Sequence, residues 1–193
     1  MKVIGLTGGI AAGKSEAAKI IRQLNIPVFD TDAAVHEIYN NGLGAKHLRE
    51  LFPDAIDGDR VVRNKLSELV TKQPGLFKQL ELIIHPLVRN SENDFLFALR
   101  STNHQVAVID SPLLIETGHH KDMDATILIE ALPEIQKSRA MLRPGMTDEK
   151  FRLIIAKQMP STEKRKHSTY IVKNNGDLTD LENQIRHIFV ELI

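Results

Sequence analysis

At 193 residues the chain is long enough to bury a substantial core, as one domain or one domain with insertions. Its 25 basic and 25 acidic residues cancel, and aromatics make up only 5%, so no global field or stacking surface favours nucleic acid or an anionic membrane. With no cysteine, disulfides, thiolate catalysis and a Cys-ligated zinc site are excluded. No stretch approaches the roughly 20 apolar residues that span a bilayer, and the apolar run at the N-terminus is too short for a signal-peptide core. The expectation is a soluble, cytoplasmic protein.

The first predicted element is an apolar strand at residues 2–7. It leads directly into Gly8-Gly9-Ile10-Ala11-Ala12-Gly13-Lys14-Ser15. This is the G-x-x-x-x-G-K-[ST] pattern, placed between a strand and a helix as its chemistry requires. Glycine lets the backbone curl around a phosphate chain. The amides of Ala11, Ala12, Gly13, Lys14, Ser15 and Glu16 are expected to point inward as an anion nest at a helix N-terminus. Gly8 and Gly9 open that nest, Lys14 supplies positive charge for the β- and γ-phosphates, and Ser15 offers a hydroxyl to Mg²⁺. The helix that follows is expected at 15–24, with Ala17, Ala18, Ile20, Ile21 and Leu24 at helical spacing on its inner side.

A second strand at 26–29 ends in Asp30-Thr31-Asp32. Asp32 is a candidate for accepting a hydroxyl proton, the role a carboxylate plays in phosphoryl transfer to an alcohol. It is equally a candidate N-cap, and capping can claim either Asp30 or Asp32. Residues 34–39, 45–51, 62–70 and 76–99 all have helical patterns, with no strand between them. Such a block exceeds what a strand-to-strand crossover needs and predicts an inserted helical lobe. Pro86 should kink or interrupt the last of these helices; His85 beside it is either a substrate contact or a polar neighbour of the kink.

A third strand at 105–109 ends in Asp110, placed to hold a Mg²⁺-bound water or simply to form a turn before Pro112. Glu116 and the loop after it are less specific, and the adjacent His119 and His120, without a carboxylate partner at metal-ligand spacing, are expected to be solvated. A fourth strand at 125–129 is followed by a helix carrying Arg139 and Arg143, four residues apart on one face. Their forks suit phosphate oxygens, or they form a basic helix end favoured by the macrodipole. After the turn at Arg143-Pro144-Gly145, Thr147 is the expected N-cap of a further helix. Lys164-Arg165-Lys166-His167 is expected to be a solvated lid edge, and 170–172 a short fifth strand. Apolar strands separated by helices predict a parallel sheet covered on both faces, with ligands beyond the carboxyl ends of the strands.

These motifs together resemble the dephospho-coenzyme A kinase family over essentially the whole chain. The resemblance rests on Leu6-Thr7-Gly8-Gly9-Ile10 into Gly13-Lys14-Ser15, on Asp30-Thr31-Asp32, and on His85-Pro86-Leu87. It continues through Asp110-Ser111-Pro112-Leu113-Leu114-Ile115-Glu116, Gln136 with Arg139 and Arg143, Gln158, and Asn174-Asn175-Gly176. It implies an α/β fold of the phosphate-loop type, three layers α/β/α around a five-stranded parallel sheet. The nucleotide-binding core would be 1–32, 105–143 and 166–193, the helical acceptor-binding insertion 33–104, and the lid 144–165. The implied reaction moves the γ-phosphoryl of ATP, with Mg²⁺, to the ribose 3′-hydroxyl of dephospho-coenzyme A.

In that resemblance Asp32 holds the general-base position, and Arg139 and Arg143 clamp phosphates. His85, Pro112, Leu113 and Leu114 line the acceptor site, Asn175 lies near the nucleotide base, and Ser15 and Asp110 serve the metal. No nucleic acid or membrane partner is implied, and the chain would act as a monomer or weak homo-oligomer. Three departures stand out: Glu16 where Thr is usual, Ala11-Ala12 in place of Gly-Ser, and no acidic residues in 168–173. The alternatives are another phosphate-loop nucleoside or nucleotide kinase, or a non-catalytic nucleotide switch. Asn175 in Asn174-Asn175-Gly176-Asp177 stands where the guanine signature of such switches has Lys.

Overall fold

From Val3 to Gly8 no residue carries a charge, and a strand with nothing polar to solvate belongs in the middle of a sheet. In the structure, a computed structural model describing residues 1–193 apart from the side chain of Pro74, that strand is β1 (Lys2–Gly8), buried from its second residue onward. Helix α1 (Lys14–Gln23) follows the phosphate loop, and β2 (Val28–Asp30) leads into the helical segment. Later come β5 (Val106–Asp110), β6 (Ala125–Glu130) and β7 (Tyr170–Lys173), all in one five-stranded parallel sheet of order β2-β5-β1-β6-β7. The register runs Leu6 against Asp110 on one side of β1 and against Ile127 on the other. Each expected strand is present, its ends displaced by one or two residues.

Contacts divide the chain into two compact units. The first is Met1–Phe29 with Thr102–Ile193. Its core joins Ile4, Leu6, Val108, Ile127 and Ile129 to Ala17, Ala18 and Ile21 of α1 and to the apolar stripe of α9 (Leu178–Leu192). That stripe, Leu181, Ile185, Ile188, Phe189 and Leu192, recurs at helical spacing, and each large side chain removed from water stabilises the fold by about 1.5–3 kcal/mol. Asp177 caps α9 by accepting the Asp180 amide at 2.9 Å.

Between β6 and β7 lie α6 (Pro133–Met141), α7 (Asp148–Lys157) and α8 (Ser161–Lys166). Thr147 caps α7 as expected, its hydroxyl accepting from the Lys150 amide at 3.2 Å. α6, however, ends at Met141, so Arg143 falls in the following turn and does not share a helix face with Arg139. Pro144 and Gly145, with φ +72°, end the helix before it reaches Arg143.

The second unit is Asp30–Ser101. It comprises α2 (Thr31–Asn40), α3 (Leu43–Leu48), α4 (Arg63–Lys72) and the 28-residue α5 (Pro74–Ser101). Two features differ from expectation. A small antiparallel hairpin, β3 (Ile56–Asp57) and β4 (Arg60–Val61), closes through Gly58-Asp59, a two-residue turn with Gly58 at φ +55°. And α5 runs uninterrupted through Pro86. Leu80, Ile84, Leu87, Val88 and Leu96 are all buried along it, and that packing outweighs the one hydrogen bond the proline cannot make.

Candidate active site

The phosphate loop is shaped by its glycines and gripped by side chains from elsewhere in the first unit. Gly13 caps α1 at φ +102°, ψ +18°, a conformation that penalises any Cβ. Asn174, 7% exposed, donates its Nδ2 to the Ala12 carbonyl at 2.8 Å. The Ile10 peptide is held at both ends: Gln158 Oε1 accepts its N–H at 3.0 Å, and Gln136 Nε2 donates to its carbonyl at 3.0 Å. Ile10 and Ala11 pack with Ala140 of α6 and Phe151 of α7.

The anion nest is narrower than the sequence suggests. The Ala12 amide donates to the Gly9 carbonyl at 3.1 Å, and the Glu16 amide to the Gly13 carbonyl at 3.1 Å. Neither is therefore free as an inward donor. Among the described residues, the amides of Ala11, Gly13, Lys14 and Ser15 make no backbone hydrogen bond outside the regular elements. They lie where a helix leaves its first N–H groups without partners.

Lys14 Nζ donates to Asp110 Oδ1 at 2.6 Å, and Asp110 is almost wholly buried at the end of β5. The lysine is thus held at the mouth of the loop by the carboxylate expected to serve the metal. Ser15 is exposed at the start of α1. Glu16 pairs with Lys19 at 3.2 Å, so part of its negative charge is met on its own helix. Arg139 donates to the Asn174 carbonyl at 3.1 Å, and a Cβ on Gly13 would lie 3.9 Å from its Nη1, which puts the guanidinium over the loop. Arg143 is exposed. The Asn175 carboxamide oxygen accepts the Leu132 amide at 2.9 Å, just ahead of α6.

The segment after β5 divides between surface and core. Leu113 is 42% exposed, but Leu114 is fully buried, its Cδ2 so close to Gly5 that a Cβ there would meet it at 2.4 Å. Leu114 is therefore a core residue and does not line an acceptor site. The Pro112 carbonyl accepts the Thr7 hydroxyl at 3.3 Å. Contrary to the expectation of solvation, His119 is buried and the half-buried His120 ring lies 5.0 Å from His167. Burial, then the neighbouring His167, lowers the His120 pKa.

In the second unit, the choice between Asp30 and Asp32 is resolved. Asp30 Oδ1 accepts the amides of Asp32 and Ala33 at 2.9 and 3.0 Å and is the N-cap of α2. Asp32 sits in the first helical turn with an exposed carboxylate that the helix does not use. His85 is exposed on α5.

Of the basic run at the end of α8, Arg165, Lys166 and His167 are exposed as expected, but Lys164 is not. Lys164 is 1% exposed and pairs with Glu116 at 2.8 Å. Arg165 places Nε and Nη2 on the Glu130 carboxylate, 2.8 and 2.7 Å from its two oxygens, and the Ser161 hydroxyl also donates to it. Burial pushes the Glu130 carboxyl up, but Arg165 and Ser161 outweigh it and hold the group below the ordinary carboxylate range. Asn174, Gln158, Gln136 and Lys164 are the contacts that single-residue reasoning misses. No local pattern signals them, because each contact joins stretches far apart in sequence.

Among the described residues, no cluster of three or more His, Asp or Glu is disposed to hold a metal, and no helix is long and apolar enough to cross a membrane. The family model described as dephospho-CoA kinase matches residues 2–180. The dephospho-CoA kinase of Bradyrhizobium diazoefficiens is 40% identical over 193 residues, covering 100% of this chain and 96% of that protein. That of Rhodopseudomonas palustris is 42% identical over 188 residues, 97% of this chain and 94% of that one. The crystal structure of TT1252 from Thermus thermophilus superposes with a TM-score of 0.87 at 35% identity, covering 100% of this chain and 98% of that one.

Proposed function

The chain belongs to the dephospho-CoA kinase family, and from that premise we infer that it moves the γ-phosphoryl group of ATP to the 3′-hydroxyl of the ribose of dephospho-coenzyme A. The observation that carries this is the family match from residue 2 to residue 180, which takes in the phosphate loop, the helical segment and the Arg139–Gln158 region together. In the reaction the ribose 3′-oxygen forms a bond to the γ-phosphorus and the bond from that phosphorus to the β,γ-bridging oxygen breaks. The hydroxyl proton goes to a carboxylate, and ADP leaves with the bridging oxygen.

Asp32 is our assignment for that carboxylate. Because Asp30 takes the capping role, Asp32 has no structural task in the turn that holds it. The free amides of Gly13, Lys14 and Ser15 bind phosphate oxygens, and Lys14 leaves Asp110 to meet the β- and γ-phosphates. Arg139 and Arg143 offset charge that builds on the transferring group. Ser15 and Asp110 offer two hard oxygen donors, a set that suits Mg²⁺, an ion that takes its other ligands from water and phosphate. Bound there, Mg²⁺ would supply charge neutralisation on the β- and γ-phosphates. His85, Pro112 and Leu113 contact the acceptor, and Asn175 lies beside the nucleotide base. The reaction is placed in the cytoplasm, with the chain acting alone or as a weak homo-oligomer.

The test is ADP release, measured by a coupled assay with dephospho-coenzyme A and with a panel of nucleosides and nucleotides. Release matched mole for mole by coenzyme A, and seen only with dephospho-coenzyme A, is the expected result. Equal release with a nucleoside, or release independent of any acceptor, overturns the assignment.

A further inference from the structure

A lysine side chain almost completely removed from water is uncommon and is retained where it is paired. Lys164 is such a residue, and phosphoryl transfer as described above makes no use of it. Its ammonium lies 2.8 Å from Glu116 Oε1 and 3.5 Å from the Pro112 carbonyl. The same Glu116 oxygen accepts the backbone amide of Met159 at 3.2 Å. Glu116 ends the segment after β5, Lys164 lies on α8, and Met159 lies between α7 and α8. One carboxylate oxygen therefore ties together three stretches of chain.

Met159 follows Gln158, whose side chain accepts the Ile10 amide inside the phosphate loop. Gln158 itself has extended backbone, φ −86° and ψ 146°, at the C-cap of α7, so α7 alone does not fix its direction. What fixes it is the next peptide, held on Glu116. The Pro112 carbonyl closes the circuit, because it also accepts the hydroxyl of Thr7, one residue before Gly8. For stability alone, an apolar pair of similar volume does as well as a buried ion pair. A carboxylate that simultaneously accepts a particular amide does something an apolar pair does not, which is to set the position of a peptide.

We propose that Glu116 and Lys164 are positioning residues for the donor side of the reaction. Through Met159 and Gln158 they hold the Ile10 peptide, and with it the phosphate loop, in the shape that receives ATP. The proposal rests on the kinase reading above, with ATP as the donor. Both residues bond to other parts of the chain, so their loss acts on the loop's preorganisation, the cost of which appears in nucleotide affinity.

The experiment compares Lys164→Met, Glu116→Gln, Glu116→Ala, Gln158→Leu and the double variant Lys164→Met/Gln158→Leu. For each, KM for ATP, KM for dephospho-coenzyme A, kcat, the calorimetric Kd for ATP and the thermal midpoint are measured. Lys164→Met and Gln158→Leu are expected to weaken ATP about five- to tenfold, the equivalent of one hydrogen bond lost. The acceptor KM and kcat should stay within about twofold. Glu116→Gln, which keeps an oxygen for the Met159 amide, should retain more affinity than Glu116→Ala. The double variant should bind ATP no more weakly than its poorer parent, because both changes cut one link.

An unchanged ATP affinity in variants whose thermal midpoint falls makes the pair merely structural and overturns the proposal. Losses that multiply in the double variant, or acceptor and ATP constants that rise together, do the same. Should Lys164→Met fail to fold, Glu116→Gln, Glu116→Ala and Gln158→Leu carry the same comparison. If the wild-type chain binds ATP but makes no coenzyme A, the reading of its function fails, while the calorimetric affinities still decide the positioning claim.

Discussion

Replacing Gly13 with alanine tests how the phosphate loop is built, because two separable costs meet at one methyl group. The first is conformational. At φ +102° an L-residue is strained by about 1–2 kcal/mol, whatever space surrounds it. The second is steric. The new Cβ would lie 1.9 Å from Asn174 Nδ2 and 3.2 Å from its Cγ, well inside contact distance. Asn174 is buried, and that nitrogen is the donor to the Ala12 carbonyl. Moving it aside leaves a buried carbonyl without its partner, at about 1–3 kcal/mol. The total for Gly13→Ala is then about 2–5 kcal/mol. At about 2–4 °C per kcal/mol for a chain of this size, the thermal midpoint should fall by about 4–20 °C.

Asn174→Ala alone loses the hydrogen bond, about 1–3 kcal/mol, and opens the space the methyl needs. The double variant therefore pays the conformational strain and the lost bond once each. Its destabilisation should fall short of the sum of the singles by about 1–3 kcal/mol. Thermal and denaturant melts of the wild type, both singles and the double measure this directly. Effects that add to within about 0.5 kcal/mol would refute the contact. A Gly13→Ala shift below about 2 °C would refute the strain as well.

Asp32→Asn should lower kcat by about 10²–10⁴-fold, with KM for ATP within twofold and the thermal midpoint unchanged, since Asp30 caps α2. Steady-state kinetics decide it: near wild-type turnover removes Asp32 from the base role. Glu130→Gln should destabilise the fold at neutral pH by about 1–2 kcal/mol, reduced from a fully buried value because Arg165 is half exposed. The folded-state pKa of Glu130 lies below its unfolded value, so its stabilisation is present above the ordinary carboxylate range and is lost as pH falls through the folded value. The gap between wild type and variant should be constant around pH 7 and close below about pH 4. A gap in denaturant melts that widens on acidification contradicts the assigned sign.

What the sequence discloses here follows the range of the interactions involved. β1, β5 and β6 are uninterrupted apolar runs, and the loop after β1 is a fixed-spacing motif, so both are legible from neighbours alone. Thr147 is legible for the same reason, a cap being a contact over three residues. The β3–β4 hairpin has two residues per strand, too few for any alternation, and only Gly58-Asp59 marked it. Pro86 does not interrupt α5 because the rule for proline concerns a helix in isolation, whereas α5 is held by packing along its length. Lys164 misleads most. It stands in a run of four basic residues, and nothing local separates the one that is buried, because its partner Glu116 belongs to a different element. Sequence alone does not choose between Asp30 and Asp32, since either carboxylate has the right spacing until the helix start is known.

Ala11 links the local and the distant halves of this picture. It occupies the left-handed region at φ +54°, where glycine would sit without strain and alanine costs about 1 kcal/mol. Its methyl is nonetheless buried among Ile10, Ala140 and Phe151, a contact of about 0.8 kcal/mol by the area of one methyl group. The two are nearly equal, so the strain of the loop is offset by packing against α6 and α7. α6 also carries Gln136, and Gln158 directly follows α7; both bond Ile10. Displacing α6 and α7 would remove that offset and both glutamine contacts together. Glycine at the same position would carry neither the strain nor the methyl contact, and only the glutamine contacts to Ile10 would remain. The substitution that makes the motif atypical therefore also binds the shape of the phosphate loop to the segment that follows β6.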